Sequence, residues 1–447
     1  MDSRHRTWAT SERFVPKTFI RPFVRFSQIE ASSGIILLIA AIAALIWANS
    51  PWADSYFSVL EQHLSLEFLG FHLDESLLHL INDGLMAVFF FVVGLEIKRE
   101  LVLGDLRDPK AAALPVLAAV GGMALPALIY FGLNAGTAAA TGWGIPMATD
   151  IAFAIGIVAL LGSRIPAGAK LFLLAVAIAD DIGAIAVIAI FYTSDLSPGH
   201  LAAAVVGLIL IWIAGKVHVR AMWFYVPMAL IVWYFTLESG VHATLAGVAL
   251  GFLTPARPYY TPPEFDARAR AILDEYPMED PSEPRSQEHA DYEVLLLSDI
   301  ANEAVSPLTR MEHKLVAWSS FIIVPLFALA NAGVDFRNVR LSQAITDPVA
   351  LGVAAGLVIG KIVGISAASY GAVRFKLGKL PPGTTWQHVV GLSAVAGIGF
   401  TVSLFVAGLA FDEPGLADLA KVGIFSGSLV AGTIGSIILS RTPRRDQ

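Results

Sequence analysis

Asp180 and Asp181 stand side by side in "LFLLAVAIADDIGAIAVIAI", residues 171–190, a run otherwise apolar enough to cross a bilayer. On the insertion scale an ionised group at mid-helix costs about 2.5 to 3.5 kcal/mol, so the pair costs about 5 to 7 kcal/mol before mutual repulsion is added. Protonation, a bound cation or a buried basic partner would relieve that cost, and each makes the pair responsive to ions. A pair held permanently protonated in a helix interface is the purely structural alternative. Neighbouring helical residues point about 100° apart, so one carboxylate can face an ion while the other faces a partner.

Lys361, in "AAGLVIGKIVGISAAS", is the lysine well inside a late apolar run and the natural counter-charge for one of the two acids, unless it snorkels to the interface. Asp150 lies in "TGWGIPMATDIAFAIG", where Gly142, Gly144 and Pro146 argue against continuous helix; Gly397 and Gly399 interrupt "SAVAGIGFTVSLF" in the same way. Broken helices at membrane depth present partial charges, positive at N-termini and negative at C-termini. Asp150 suits the first kind, if only as a cap, and Lys361 the second. The break frees backbone carbonyls and the Thr149 hydroxyl, and with the carboxylates these are donors for a small hard cation such as sodium or lithium.

The elements that must position these groups are membrane helices. Of the 447 residues 56% are hydrophobic and 15% charged, too apolar for an ordinary soluble chain, and the apolar runs are too long for barrel strands. An all-α polytopic membrane protein of about twelve spans is expected, near 30–49, 77–101, 110–131, 143–162, 168–192, 200–216, 221–236, 240–254, 314–334, 348–371, 387–411 and 417–440. With no cysteine, disulfides and thiolate metal sites are excluded, and the scattered basic residues give nucleic acid no footing.

Basic residues precede the first span (Arg4, Arg6, Arg13, Lys17, Arg21, Arg25) and follow every even-numbered one, as with Lys98 and Arg99, Arg164 and Lys170, Lys216 and Arg220, Arg257, Arg374 to Lys379, and Arg441 to Arg445. Arg337 and Arg340 are the exceptions. The alternation places both termini in the cytoplasm, with a retained first helix. The domains expected are a basic N-terminal segment 1–28, a first membrane part 29–254, an acidic cytoplasmic connection 255–312, a second membrane part 313–440 and a basic tail 441–447. Within the connection, "PMEDPSEP" at 277–284 suits disorder, and "HADYEVLLLSDIANEAV" has helical periodicity for docking under the membrane part. "LEFLGFHL", Leu66 to Leu73, alternates around Gly70 as an outside hairpin or an amphipathic surface segment would.

The strings "INDGLMAVFFFVVGLEIKREL", "MATDIAFAIGIVALLGSRIP", "AIADDIGAIAVIAIFY", "GVHATLAGVALGF", "LFALANAGV", "LVIGKIVGIS" and "GIGFTVSLF", in this order, closely resemble NhaA-type sodium/proton antiporters from about Ile29 to Ser440. The resemblance implies inverted repeats, spans three to five against ten to twelve, with two broken helices crossing near the midplane. It implies a transporter rather than an enzyme, exchanging cytoplasmic Na+ or Li+ for external H+ without a cofactor, electrogenically and by alternating access, in a bacterial inner membrane and as a homodimer. By resemblance Asp181 is the principal cation ligand, Asp180 the proton-carrying partner of Lys361, and Asp150 and Thr149 sit at the crossing. Glu96 and Glu100, four residues apart and so on one helix face, with Glu312 and His313, resemble the family's pH-responsive cluster. Glu96 and Glu100 also read as an ordinary solvated helix end beside Lys98 and Arg99, and His242 as a packing histidine. Many relatives carry a second histidine where this chain has Val316, and the connection from Pro255 to Arg310 is longer than in compact members.

Two other classes fit parts of the pattern. An intramembrane aspartyl protease would use Asp150 and Asp181 as a dyad on different helices, but it leaves the buried lysine without a role. A passive cation channel would conduct without coupling to protons.

Overall fold

The computed structural model describes residues 32–68, 71–193, 196–217, 219, 222–276, 284–337 and 346–442. The basic N-terminal segment, Gly70, Arg220, residues 277–283, Arg340 and the tail beyond 442 lie outside the described residues.

The chain is an all-α polytopic membrane protein. Its first span, α1 (Ser32–Ala48), meets α2 (Ala53–Leu60) at a 113° bend. Strands β1 (His63–Phe68) and β2 (Phe71–Ser76) then pair antiparallel in the register His63↔Ser76, Leu66↔Leu73 and Phe68↔Phe71, as the alternation around Gly70 predicts for a hairpin. The second and third spans are α3 (Leu77–Val102) and α4 (Pro109–Asn134). The fourth is a 3-10 segment, Ala138–Met147, followed after a break by α5 (Ile151–Leu161). Next come α6 (Ala167–Phe191), α7 (Pro198–Lys216) and the shorter α8 (Met222–Leu237) and α9 (Thr244–Leu253). Helices α10 (Pro262–Glu275) and α11 (Pro284–Glu303) form the connecting segment. The last four spans are α12 (Pro307–Asn331), α13 (Pro348–Arg374), the pair α14 (Trp386–Val395) and α15 (Phe400–Ala410) bent by 47°, and α16 (Pro414–Ser440). Among the described residues eight helices are long and apolar enough to cross a membrane, ten when each bent pair counts as one span, and the shorter apolar helices α8 and α9 bring the number to the twelve expected.

Local chemistry sets the helix starts. Proline occupies the first turn of α4, α7, α12, α13 and α16, where its missing N–H and fixed φ cost nothing. Side-chain caps precede several of them. Asp108 accepts from Lys110 N (3.0 Å), Ser306 from Thr309 N (3.2 Å) and Asp347 from Val349 N (2.8 Å). The Ser306–Pro307 start carries α12 a few residues upstream of the expected domain boundary at 313. In the connection, Thr261 N–H and Oγ both donate to Glu264 at 2.8 Å, holding that carboxyl below its ordinary range. Arg337, an exception to the charge alternation, is neutralised by Asp335 (2.9 Å) and Asp54 (3.1 Å), which push its guanidinium further toward the charged form.

Spans three to five (α4, the broken fourth, α6) are matched by spans ten to twelve (α13, the broken eleventh, α16): long helix, interrupted helix, long helix. Corresponding spans of the two sets are seven apart along the chain, an odd number, so the second set runs inverted, an arrangement known for transporter folds. Helices α4 and α13 pack through small residues, as membrane helices do. A Cβ on Gly360 would lie 2.7 Å from Pro126 Cα, and one on Gly364 would overlap the Gly121 carbonyl oxygen. A π turn over Gly356–Gly360 then delivers Lys361. Large apolar side chains such as Ile39, Leu160, Ile190 and Leu429 point outward, which suits lipid rather than water.

Candidate functional site

The two interrupted spans meet at their breaks. Asp150 N–H donates to Ile398 O at 2.6 Å, and Ser403 Oγ donates to Ile145 O at 2.8 Å. The Asp150 carboxylate spans both halves: Oδ1 accepts Phe153 N–H (3.1 Å) in the first turn of α5, while Oδ2 accepts Thr401 N–H (3.1 Å) and Thr401 Oγ–H (2.6 Å) in the first turn of α15. Each helix N-terminus is equivalent to about half a positive charge. Two of them match one carboxylate, so Asp150 is balanced without a basic side chain.

Lys361 and Asp180 are both wholly buried, and Lys361 Nζ lies 2.5 Å from Asp180 Oδ2. Thr149 Oγ completes a triangle, 3.0 Å from Lys361 Nζ and 2.8 Å from Asp180 Oδ2. It also lies 2.9 Å from Ala396 O on the broken eleventh span. One hydroxyl hydrogen can serve only one of those two acceptors at a time. Asp180 Oδ1 is buried with no hydrogen-bond partner among the described residues. Asp181 is 6% exposed, on the adjoining helix face, and makes no hydrogen bond or ion pair among the described residues. Asp150 and Asp181 share no hydrogen bond, so the geometry is not that of a catalytic dyad sharing a proton.

A second charged group gathers at the end of α3. Arg99 donates to Glu312 at the start of α12 and, at 3.1 Å, to Glu100. Glu96, one turn back, is half-buried and Glu312 buried, whereas His313 is exposed and outside the cluster. Lys98 turns elsewhere, donating to the carbonyls of Phe252 (2.7 Å) and Thr254 (2.5 Å) at the end of α9. His242 packs with Nε2 2.6 Å from Tyr192 O.

Residues 24–439 match the family described as Na+/H+ antiporter 1. The chain belongs to this family. It is 45% identical over 425 residues to the Na(+)/H(+) antiporter NhaA of Syntrophobacter fumaroxidans, covering 93% of this chain and 89% of the relative. It is 46% identical over 427 residues to the Na(+)/H(+) antiporter NhaA 2 of Syntrophotalea carbinolica, covering 95% and 97%. With the Na(+)/H(+) antiporter NhaA 2 of Erythrobacter litoralis it shares 44% over 427 residues, covering 95% and 94%.

For this Na+/H+ antiporter 1 family member, two groups, one at the crossing and one in the acidic cluster, escape a reading of the sequence. Thr401 makes the shortest contact to the Asp150 carboxylate, and Arg99 is the hub of the acidic cluster rather than a bystander. The signal for Thr401 was its place two residues after Gly399, where a helix restarts and a hydroxyl can reach back across the break. Nothing local marks Arg99, because its partner Glu312 is over two hundred residues away in sequence.

Proposed function

We propose that this chain is a secondary antiporter exchanging cytoplasmic Na+, or Li+, for external protons. The observation that carries the reading is the half-satisfied Asp180. Lys361 and Thr149 occupy Oδ2, while Oδ1 and the whole Asp181 carboxylate remain available at the crossing of two broken helices. A buried carboxylate left in that state needs a cation or a proton. Na+ and H+ therefore compete for Asp181 and Asp180, with Asp181 the principal cation ligand and Asp180 exchanging its proton against the Lys361 pair. Asp150, whose oxygens already take three donors, holds the crossing and balances the helix ends. Thr149 offers its hydroxyl to Asp180 and to the Ala396 carbonyl of the broken eleventh span.

Alternating access follows from rocking the inverted repeats against the remaining spans, so that the crossing opens to one side and then the other. Two protons entering for each cation leaving would make the cycle electrogenic. The alternation of basic connections supports a cytoplasmic inner-membrane orientation with both termini inside. The β1–β2 hairpin is a suitable surface for a homodimer. Glu96, Glu100 and Glu312, gathered by Arg99, with His313 nearby in sequence, are the groups assigned to the pH response.

Proteoliposomes loaded with a pH-sensitive dye test the reading directly. Addition of Na+ should collapse a preformed pH gradient with the wild-type protein, and Asp181→Asn should abolish that response while the protein remains folded. Full sodium-coupled proton flux in Asp181→Asn would refute the site.

A further inference from the structure

We infer that His388 forms a second proton-binding site, on the cytoplasmic side, which fastens the two broken spans together only while its imidazole is neutral. His388 is 4% exposed and sits in the first turn of α14, where it closes a capping box with Thr385. Its Nδ1 accepts the Thr385 backbone N–H at 3.1 Å and lies 2.9 Å from the Thr385 hydroxyl, and its Nε2 faces the Arg164 carbonyl, beyond the end of α5, at 3.3 Å. A backbone N–H only donates and a carbonyl only accepts, so both partners have fixed roles. The tautomer is thereby settled: Nδ1 is bare and Nε2 carries the hydrogen.

A proton taken from water onto Nδ1 sets an N–H against the Thr385 N–H, breaks that arm of the cap and leaves the neutral Thr385 hydroxyl as the acceptor on that side. It also puts a full positive charge at a helix N-terminus, where cations are disfavoured. The elements around α14 offer no relief. Their charged side chains at this end are Arg164, Lys170, Arg374, Lys376, Lys379 and Arg441, all basic, and stretches 160–170, 371–390 and 436–442 contain no acid. The same corner is knitted to the last span, because Arg164 donates to Ser440 O and Gln387 Nε2 to Ile438 O at 3.3 Å.

The consequence reaches the transport site through one short rigid element. Helix α14 is ten residues, about 15 Å, long. Just past its far end are the Ala396 and Ile398 carbonyls that receive Thr149 Oγ and Asp150 N–H. Acidifying the cytoplasm therefore unfastens α14 at one end, and the crossing loses its register at the other. This site is separate from the Arg99 cluster and acts on the opposite set of spans.

The activity test rests on the exchange reading; wild-type protein without sodium-coupled flux would fail that reading and not this one. His388→Gln keeps an acceptor and a donor but cannot be protonated. Its exchange at alkaline pH should stay within about twofold of wild type, and its acid limb should extend by roughly half a pH unit or more. A profile superimposable on wild type overturns the inference. An independent readout uses the unaltered protein: hydrogen–deuterium exchange of residues 385–389, corrected for intrinsic rates, should lose protection as pH falls. Protection independent of pH would equally overturn it.

Discussion

The Lys361–Asp180 pair shows why a buried charge is easier to remove together with its partner than alone. Lys361→Ala leaves Asp180 with only the Thr149 hydroxyl in a wholly buried setting, and breaking a buried pair in this way costs about 3 to 5 kcal/mol. Thermal unfolding in detergent at alkaline pH should show that loss, and the double variant Asp180→Asn/Lys361→Ala should recover most of it. Equal destabilisation by the single and double changes would mean that the charge is compensated from elsewhere. Thr401 offers a finer test. Its hydroxyl bond to the Asp150 carboxylate, 2.6 Å long, is charge-assisted, so Thr401→Val should cost about 1.5 to 3 kcal/mol whereas Thr401→Ser should cost little. Similar melting temperatures for the two variants would show that the backbone N–H groups of Phe153 and Thr401 suffice to hold Asp150.

Elements place these residues by close backbone approach. In α13 the face carrying Gly360 and Gly364 lies against α4, and Lys361 is held at the depth this contact allows. Gly364→Val forces the helices apart, at about 1 to 3 kcal/mol for overpacking, and should also abolish exchange by withdrawing Lys361 from Asp180. Gly371→Val, with nothing within 4 Å of its added carbon, should leave exchange and melting temperature unchanged. Failure of both variants alike would mean that α13 simply tolerates no bulk. The elements were also the most legible part of the sequence. Apolar run length alone marks the spans, because each must bury a bilayer's thickness, and glycine and proline mark both breaks. The 3-10 winding of Ala138–Met147, the π turn before Lys361 and the sharp bend after α1 also carry glycine or proline, but those residues do not say which geometry results. They arise where one helix yields to another, and only tertiary contact decides that. The same holds within the site: the need for a basic partner to the aspartates can be read locally, but the choice of Asp180 over Asp181 depends on helix rotation.

At the scale of the molecule, the arrangement makes a statement about charge per cycle. On the proposed reading the site offers two carboxylates to a single monovalent cation, with Lys361 covering part of one. If both return protonated, two protons enter as one Na+ leaves, and one net positive charge moves inward. An inside-negative potential then drives sodium out. Each charge moved through 100 mV is worth about 2.3 kcal/mol, so clamping vesicles at −100 mV without a pH gradient should sustain a sodium ratio of about 50. The same vesicles at zero potential should hold a ratio of one. If the ratio were unmoved by potential, one proton would be exchanged per cation. Asp180 would then stay paired with Lys361 throughout, leaving Asp181 to carry both ions in turn.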